Sequence, residues 1–166
     1  MSFKLKVLLC GPPKAEKSKL VNRFVQSKFD HEYKMTVGVD IFTKDVQIKN
    51  EKCTLSIWDI GSQEKFSFIR STFYRGASCA IIVFDLKRET TWKDIQLWYD
   101  EIKSNAGEIP IAFVEKGNGE NGEEKRNEFR NLVESTGNHY YETSSNGENM
   151  EEIFSSLALK TVDTIA

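Results

Sequence analysis

The sequence predicts an α/β fold: a six-stranded, mostly parallel sheet flanked by about five helices, with one antiparallel strand over 39–49. Three observations carry this. Short β-rich runs alternate with stretches of helical spacing, which is the pattern of βαβ units with helices on both sides of the sheet. Residues 79–86 (CAIIVFDL) are almost wholly apolar, as a central strand covered on both faces requires. Residues 39–49 and 53–58 are β-rich runs joined by Asn50-Glu51-Lys52, a hairpin signal.

The elements follow in order. Residues 3–10 (FKLKVLLC) alternate and then run apolar into Gly11, a strand entering a loop. Residues 18–24 (SKLVNRF) read as the first turns of a helix. Over 91–104, Trp92, Ile95, Leu97, Trp98 and Ile102 recur near helical spacing. Residues 110–114 form a short buried strand. Residues 117–124 (GNGENGEE) are polar and glycine-rich, hence a loop. A helix over 128–133 is ended by Gly137. Residues 139–142 form an edge or near-edge strand. Residues 150–165 are amphipathic, with Ile153, Phe154, Leu157 and Val162 near one face.

The chain of 166 residues fits a single domain over 1–166. With 39% hydrophobic and 29% charged residues it reads as soluble and globular. Its 23 basic and 25 acidic residues argue against a nucleic-acid binder, which carries a basic surplus. No apolar run approaches the roughly 18–20 residues of a membrane helix. Residues 1–10 lack a secretory signal, and 161–166 hold no cysteine to prenylate. The expectation is a cytoplasmic monomer with no membrane anchor in this chain, associating with membranes only through other segments or partners. Cys10, Cys53 and Cys79 fit no metal spacing and read as buried free thiols.

After the first strand comes Gly11-Pro12-Pro13-Lys14-Ala15-Glu16-Lys17-Ser18. It nearly matches the phosphate loop G-x-x-x-x-G-K-[ST], with Glu16 at the second glycine. Such a loop curls backbone N–H groups around phosphate, sets a lysine on the β and γ oxygens, and offers a hydroxyl to Mg²⁺. Lys17 and Ser18 are the residue types for the last two roles. By itself the degenerate motif is weak, because Gly-Pro-Pro after a strand can be simply a turn.

Four further segments settle the resemblance: YKMTVGVDIF (33–42), LSIWDIGSQEKF (55–66), FYRGASCAIIVFDL (73–86) and YYETSS (140–145). From residue 3 to about 160 the chain resembles a Rab-type small GTPase of the Ras superfamily, hence a P-loop small G-domain. The resemblance implies GTP or GDP with Mg²⁺ as cofactors. It places Lys14, Ala15 and Glu16 in the phosphate cradle, Lys17 on the phosphates, and Ser18, Thr36 and Asp59 around Mg²⁺. It sets Phe29 against the guanine ring, Ser62 at the γ-phosphate hinge, Asn118 and Asn121 in the base-reading loop, and Ser144 behind the base. Gln63 would orient the attacking water. Effectors or regulators would meet the switch and hairpin surface at Ile41, Phe42, Trp58, Phe66 and Tyr74, residues that core packing would also explain.

Four departures from the family pattern bear on activity. Glu16 puts a carboxylate beside a polyanion, and two charges about 5 Å apart at an effective dielectric near 20 repel by about 3 kcal/mol. Gly61-Ser62 stands where the family reads Ala-Gly, which moves the backbone freedom of the γ-phosphate hinge one residue early. In the base-reading loop, GNGENGEEKR (117–126) aligns with G-N-K-x-D-L-x-x-K-R if about two extra residues fall near Glu115-Lys116. Asn118 then keeps the asparagine, Gly119 replaces the lysine, and Asn121 replaces the aspartate. An amide meets guanine's two donors with one acceptor and one donor, a loss of about 2–4 kcal/mol. Two main readings therefore stand. One is a switch in vesicle trafficking with weakened GTP/GDP binding and slow hydrolysis. The other is a pseudo-GTPase interaction module that binds no nucleotide. Altered base specificity through Asn121 is a third, minor reading.

Overall fold

A computed structural model describes residues 2–12, 20, 30–34, 39–61, 67–86, 91–117, 122–143 and 149–165, with backbone alone for 30–34, 67 and 68. The strands are β1 (Phe3–Cys10), β2 (Asp30–Lys34), β3 (Val39–Ile48), β4 (Glu51–Ile60), β5 (Cys79–Phe84), β6 (Ile111–Lys116) and β7 (His139–Thr143). They form one sheet in the order β2-β3-β4-β1-β5-β6-β7. The six expected strands are present, and β2 adds a short seventh at the edge. β3 is the antiparallel strand; β1 pairs in parallel with both β4 and β5, and β6 and β7 continue the parallel set.

Burial follows position. β1 alternates where Lys4 and Lys6 face out, then is buried from Val7 to Gly11 as it enters the middle of the sheet. β5 and β6 are buried at every residue because both faces are covered. β3 and β4 alternate, with one face in the core and the other toward solvent. Their turn is Lys49-Asn50, tighter than the loop expected at 50–52. Both residues take positive φ, 53° and 64°, the twist that suits a two-residue hairpin loop. Glu51 and Lys52 therefore already belong to β4, paired with Ile48 and Gln47.

Four helices lie among the described residues: α1 (Ser67–Tyr74), α2 (Trp92–Ala106), α3 (Glu123–Ser135) and α4 (Met150–Ile165). The expected helix over 18–24 is described only at Leu20, which is helical and buried. α2 opens on a capping box: the Thr91 hydroxyl accepts from the Asp94 N–H, and the Asp94 carboxylate accepts from the Thr91 N–H. α3 begins at Glu123, earlier than the glycine-rich loop suggested. Glu123 and Glu124 fill its first turn, where negative side chains favour the positive helix terminus.

The core divides across the sheet. On one face Leu5, Val7 and Leu9 pack with Ile153, Phe154 and Leu157 of α4. On the other, Leu8 and Cys10 join Tyr74 of α1, Ile95 and Trp98 of α2, and Phe129 of α3. The three cysteines are buried and free, as expected. Burial pushes the Cys79 thiol up to about 12, which makes it inert.

Candidate functional site

From β1 the chain builds β2, β3 and β4 to one side and then β5, β6 and β7 to the other. The carboxyl end of β1 is thus the point where strand order reverses, the place where open α/β sheets bind ligands. Cys10, Ile60, Phe84, Lys116 and Thr143 end the five parallel strands on this edge. The segments carrying most of the expected site residues leave from those ends. Lys14, Ala15, Glu16, Lys17 and Ser18 lie outside the described residues. So do Phe29, Thr36, Ser62, Gln63, Asn118, Asn121 and Ser144.

What is described builds the floor of the site. Gly11 continues β1 with φ +150, and a Cβ there would lie 2.2 Å from the Val83 carbonyl oxygen. Only glycine lets the phosphate-loop segment start this close over β5. Asp59 is 8% exposed near the end of β4 and pairs in register with Leu9, two residues before Gly11. Asp40 on β3 stands opposite Asp59 in the antiparallel register, so both carboxylates share one face of the sheet. Of the residues expected around Mg²⁺, Asp59 alone lies among the described ones, and its carboxylate is the hard oxygen donor that ion takes.

The base-loop side holds a group that motif reading missed. Glu115 and Lys116 finish β6 without a bulge, pairing with Phe84 of β5 and with Glu142 and Thr143 of β7. The two residues that the alignment adds sit inside the strand. Glu115 is buried and takes both oxygens to Arg126 of α3, at 2.6 Å from Nε and 2.8 Å from Nη2. The Tyr140 hydroxyl donates to the same carboxylate at 2.7 Å. Arg126 Nε also lies 2.8 Å from Glu142, which Arg130 reaches at 3.4 Å. These bonds raise the Arg126 pKa further, and burial beside Glu115 lifts the Tyr140 phenol above its ordinary value. The network ties the strand end before residues 118–121 to the helix after them. Its sequence signal is a glutamate that directly follows the apolar run IAFV, within the strand IAFVEK.

The expected partner surface needs correction. Phe42 is 5% exposed and Tyr74 is fully buried, so both are core residues. Ile41 and Trp58 are half-buried and remain available, while Phe66 lies outside the described residues. Phe73, which the sequence reading passed over for its neighbour, sits 6.2 Å from the Trp58 ring. Lys6 covers that ring at 3.8 Å and donates to the Arg75 carbonyl.

A sequence model of the Ras family matches residues 6–163. GTP-binding protein YPTC5 of Chlamydomonas reinhardtii is 42% identical over 103 residues, 62% of this chain and 50% of its own length. Ras-related protein RABG3e of Arabidopsis thaliana is 35% identical over 161 residues, 90% of this chain and 78% of its own length. Ras-related protein Rab7 of Pisum sativum is 34% identical over 167 residues, 93% and 80% respectively. The chain thus spans half the length of the first relative and about four fifths of the other two.

Proposed function

Because the chain belongs to the Ras family of small GTPases, in its Rab-type branch, we propose that residues 1–166 form one G domain serving as a guanine-nucleotide switch in vesicle trafficking, with weakened GTP/GDP binding and slow hydrolysis. The observation that carries this reading is Asp59, buried at the end of β4 and in register with the end of β1 from which the phosphate-loop segment departs.

Lys17 would neutralise the β and γ oxygens, backed by the N–H groups of Lys14, Ala15 and Glu16. Ser18 and Thr36 would hold Mg²⁺ directly and Asp59 through water; the ion supplies neutralisation of charge on the phosphates. Phe29 and Ser144 would flank the base. Ser62 offers its N–H to the γ-phosphate, and Gln63 aims the water. Glu16 repels phosphate and Asn121 loses one of two contacts to guanine, so affinity falls for both nucleotides. Ser62 stiffens the hinge that distinguishes GTP from GDP. Effectors or regulators would dock on Ile41, Trp58 and Phe73, and the protein would act in the cytoplasm, reaching membranes through partners or segments outside these residues.

The alternative is a pseudo-GTPase. It draws on Glu16, Ser62 and Asn121 together, since each weakens a different part of nucleotide recognition. Denaturing the freshly purified protein and chromatographing what it releases tests the choice. Guanine nucleotide in the supernatant supports the switch. A folded protein that releases none, and takes up none when incubated with Mg²⁺ and GDP, supports the interaction module.

A further inference from the structure

A cavity of about 330 Å³ opens at the amino ends of β6 and β7, on the edge of the sheet opposite the nucleotide loops. Strands of 6 and 5 residues separate the two edges, about 17 Å. Tyr99 of α2, Tyr141 of β7 and Leu157 of α4 give it apolar walls, while Lys103, His139 and Lys160 line it with basic groups. This is the size and mixed lining of a small-molecule site.

The cations differ in how they are engaged. Lys103 is paired with Glu108 at 2.9 Å. Lys160 is half-buried and donates to the Tyr141 hydroxyl at 3.0 Å, with its ammonium 5.5 Å from that ring. Among the described residues Lys160 meets no carboxylate. A half-buried ammonium satisfied only by a phenol keeps two donors and its full charge for an anion. His139 stands beside it, its ring 6.4 Å from that of Tyr141. Burial and the Lys160 charge lower the His139 pKa, while Glu134 opposes them. Lys160 and His139 both stand at Tyr141, while Lys103, 5.4 Å from the Tyr99 ring, is paired with Glu108, so the uncompensated positive charge gathers on the Tyr141 side of the cavity.

We propose that this cavity binds a small organic anion, a phosphate or carboxylate head carried on a flat apolar body, with the head on Lys160 and His139 and the body between Tyr99, Tyr141 and Leu157. The site is independent of the nucleotide and shares no residue with its loops. An anion held within about 4–6 Å of the imidazole favours its charged form, so the ligand raises the His139 midpoint.

The test is a nuclear magnetic resonance titration of the whole chain with phenyl phosphate. The protein has 2 histidines, so His31 serves as the internal reference. The expected result is saturable binding in the millimolar range, as suits a ligand this small. The His139 midpoint rises and that of His31 stays fixed. Inorganic phosphate and benzyl alcohol each bind about tenfold more weakly, since each supplies half the recognition. Lys160→Met weakens binding about tenfold, and Lys160→Arg retains it. If Lys160→Met fails to fold, the His139 midpoint in the unaltered chain decides. The proposal is overturned by an unmoved His139 midpoint, by inorganic phosphate binding as well as phenyl phosphate, by a folded Lys160→Met of unchanged affinity, or by displacement with Mg²⁺ and GDP.

Discussion

Arg126→Met keeps the length of the side chain and removes its guanidinium from Glu115. The two side chains are 8% and 4% exposed, so water cannot take the place of what is lost. Two charge-assisted hydrogen bonds, at 2.6 and 2.8 Å, disappear. Each is worth about 1.5–3 kcal/mol. The Tyr140 hydroxyl still donates to the stranded carboxylate at 2.7 Å and offsets part of the loss. Breaking one side of a buried pair costs about 3–5 kcal/mol, and with Tyr140 in place the lower end applies, about 3 kcal/mol. At roughly 2–4 °C per kcal/mol for a chain of this size, Tm falls by about 6–12 °C. Urea unfolding at pH 7, with nucleotide and Mg²⁺ held constant, measures it. Glu115→Gln combined with Arg126→Met recovers more than half of the loss, because the amide oxygen still accepts from Tyr140 and no charge remains. A loss below about 1 kcal/mol would show that Glu115 and Arg126 are not a buried pair.

Three further results are expected. Gly11→Ala places a methyl 2.2 Å from the Val83 carbonyl oxygen and destabilises the fold by about 2–4 kcal/mol in the same unfolding assay; an unchanged midpoint would mean that β1 and β5 separate freely there. His139, whose folded pKa is lowered by burial and then by Lys160, contributes stability that is present above the unfolded value near 6.5 and lost as pH falls through the folded pKa; His139→Gln should flatten that slope between about pH 5 and 7. Intrinsic GTP hydrolysis in single turnover should run below that of ordinary Rab proteins, since a misplacement of about 1 Å at Gln63 costs on the order of a hundredfold; an ordinary rate abolished by Gln63→Leu would show that Gly61-Ser62 still aims the water.

The sequence revealed the sheet better than its borders. Continuous apolar runs such as 79–86 and 110–114 identify strands covered on both faces, and the structure buries β5 and β6 throughout. β2 escaped because DHEYK carries no apolar alternation. α1 escaped because 8 residues span barely two turns. The Lys49-Asn50 turn was placed late, since lysine gives no hint of the positive φ that it adopts. In the site, the motif places Gly11 at the start of the loop, and its close approach to Val83 explains the glycine; the resemblance names Asp59, which is buried near the end of β4. Motif reading could not find the pairing of Glu115 with Arg126, because the contact depends on how α3 folds back over β6. It chose Tyr74 over Phe73 for the surface, a distinction made by 100° of helix rotation that adjacent aromatics do not reveal.

Whether a weakened guanine-nucleotide site persists on this fold is decided by calorimetric titration of the nucleotide-free protein with GDP and Mg²⁺, run beside Glu16→Gly combined with Asn121→Asp. The unaltered chain should show saturable, Mg²⁺-dependent binding, and the double variant should bind at least about tenfold more tightly, through relieved repulsion and a restored pair of contacts to guanine. If neither folded protein binds, no such site persists and the pseudo-GTPase reading takes its place.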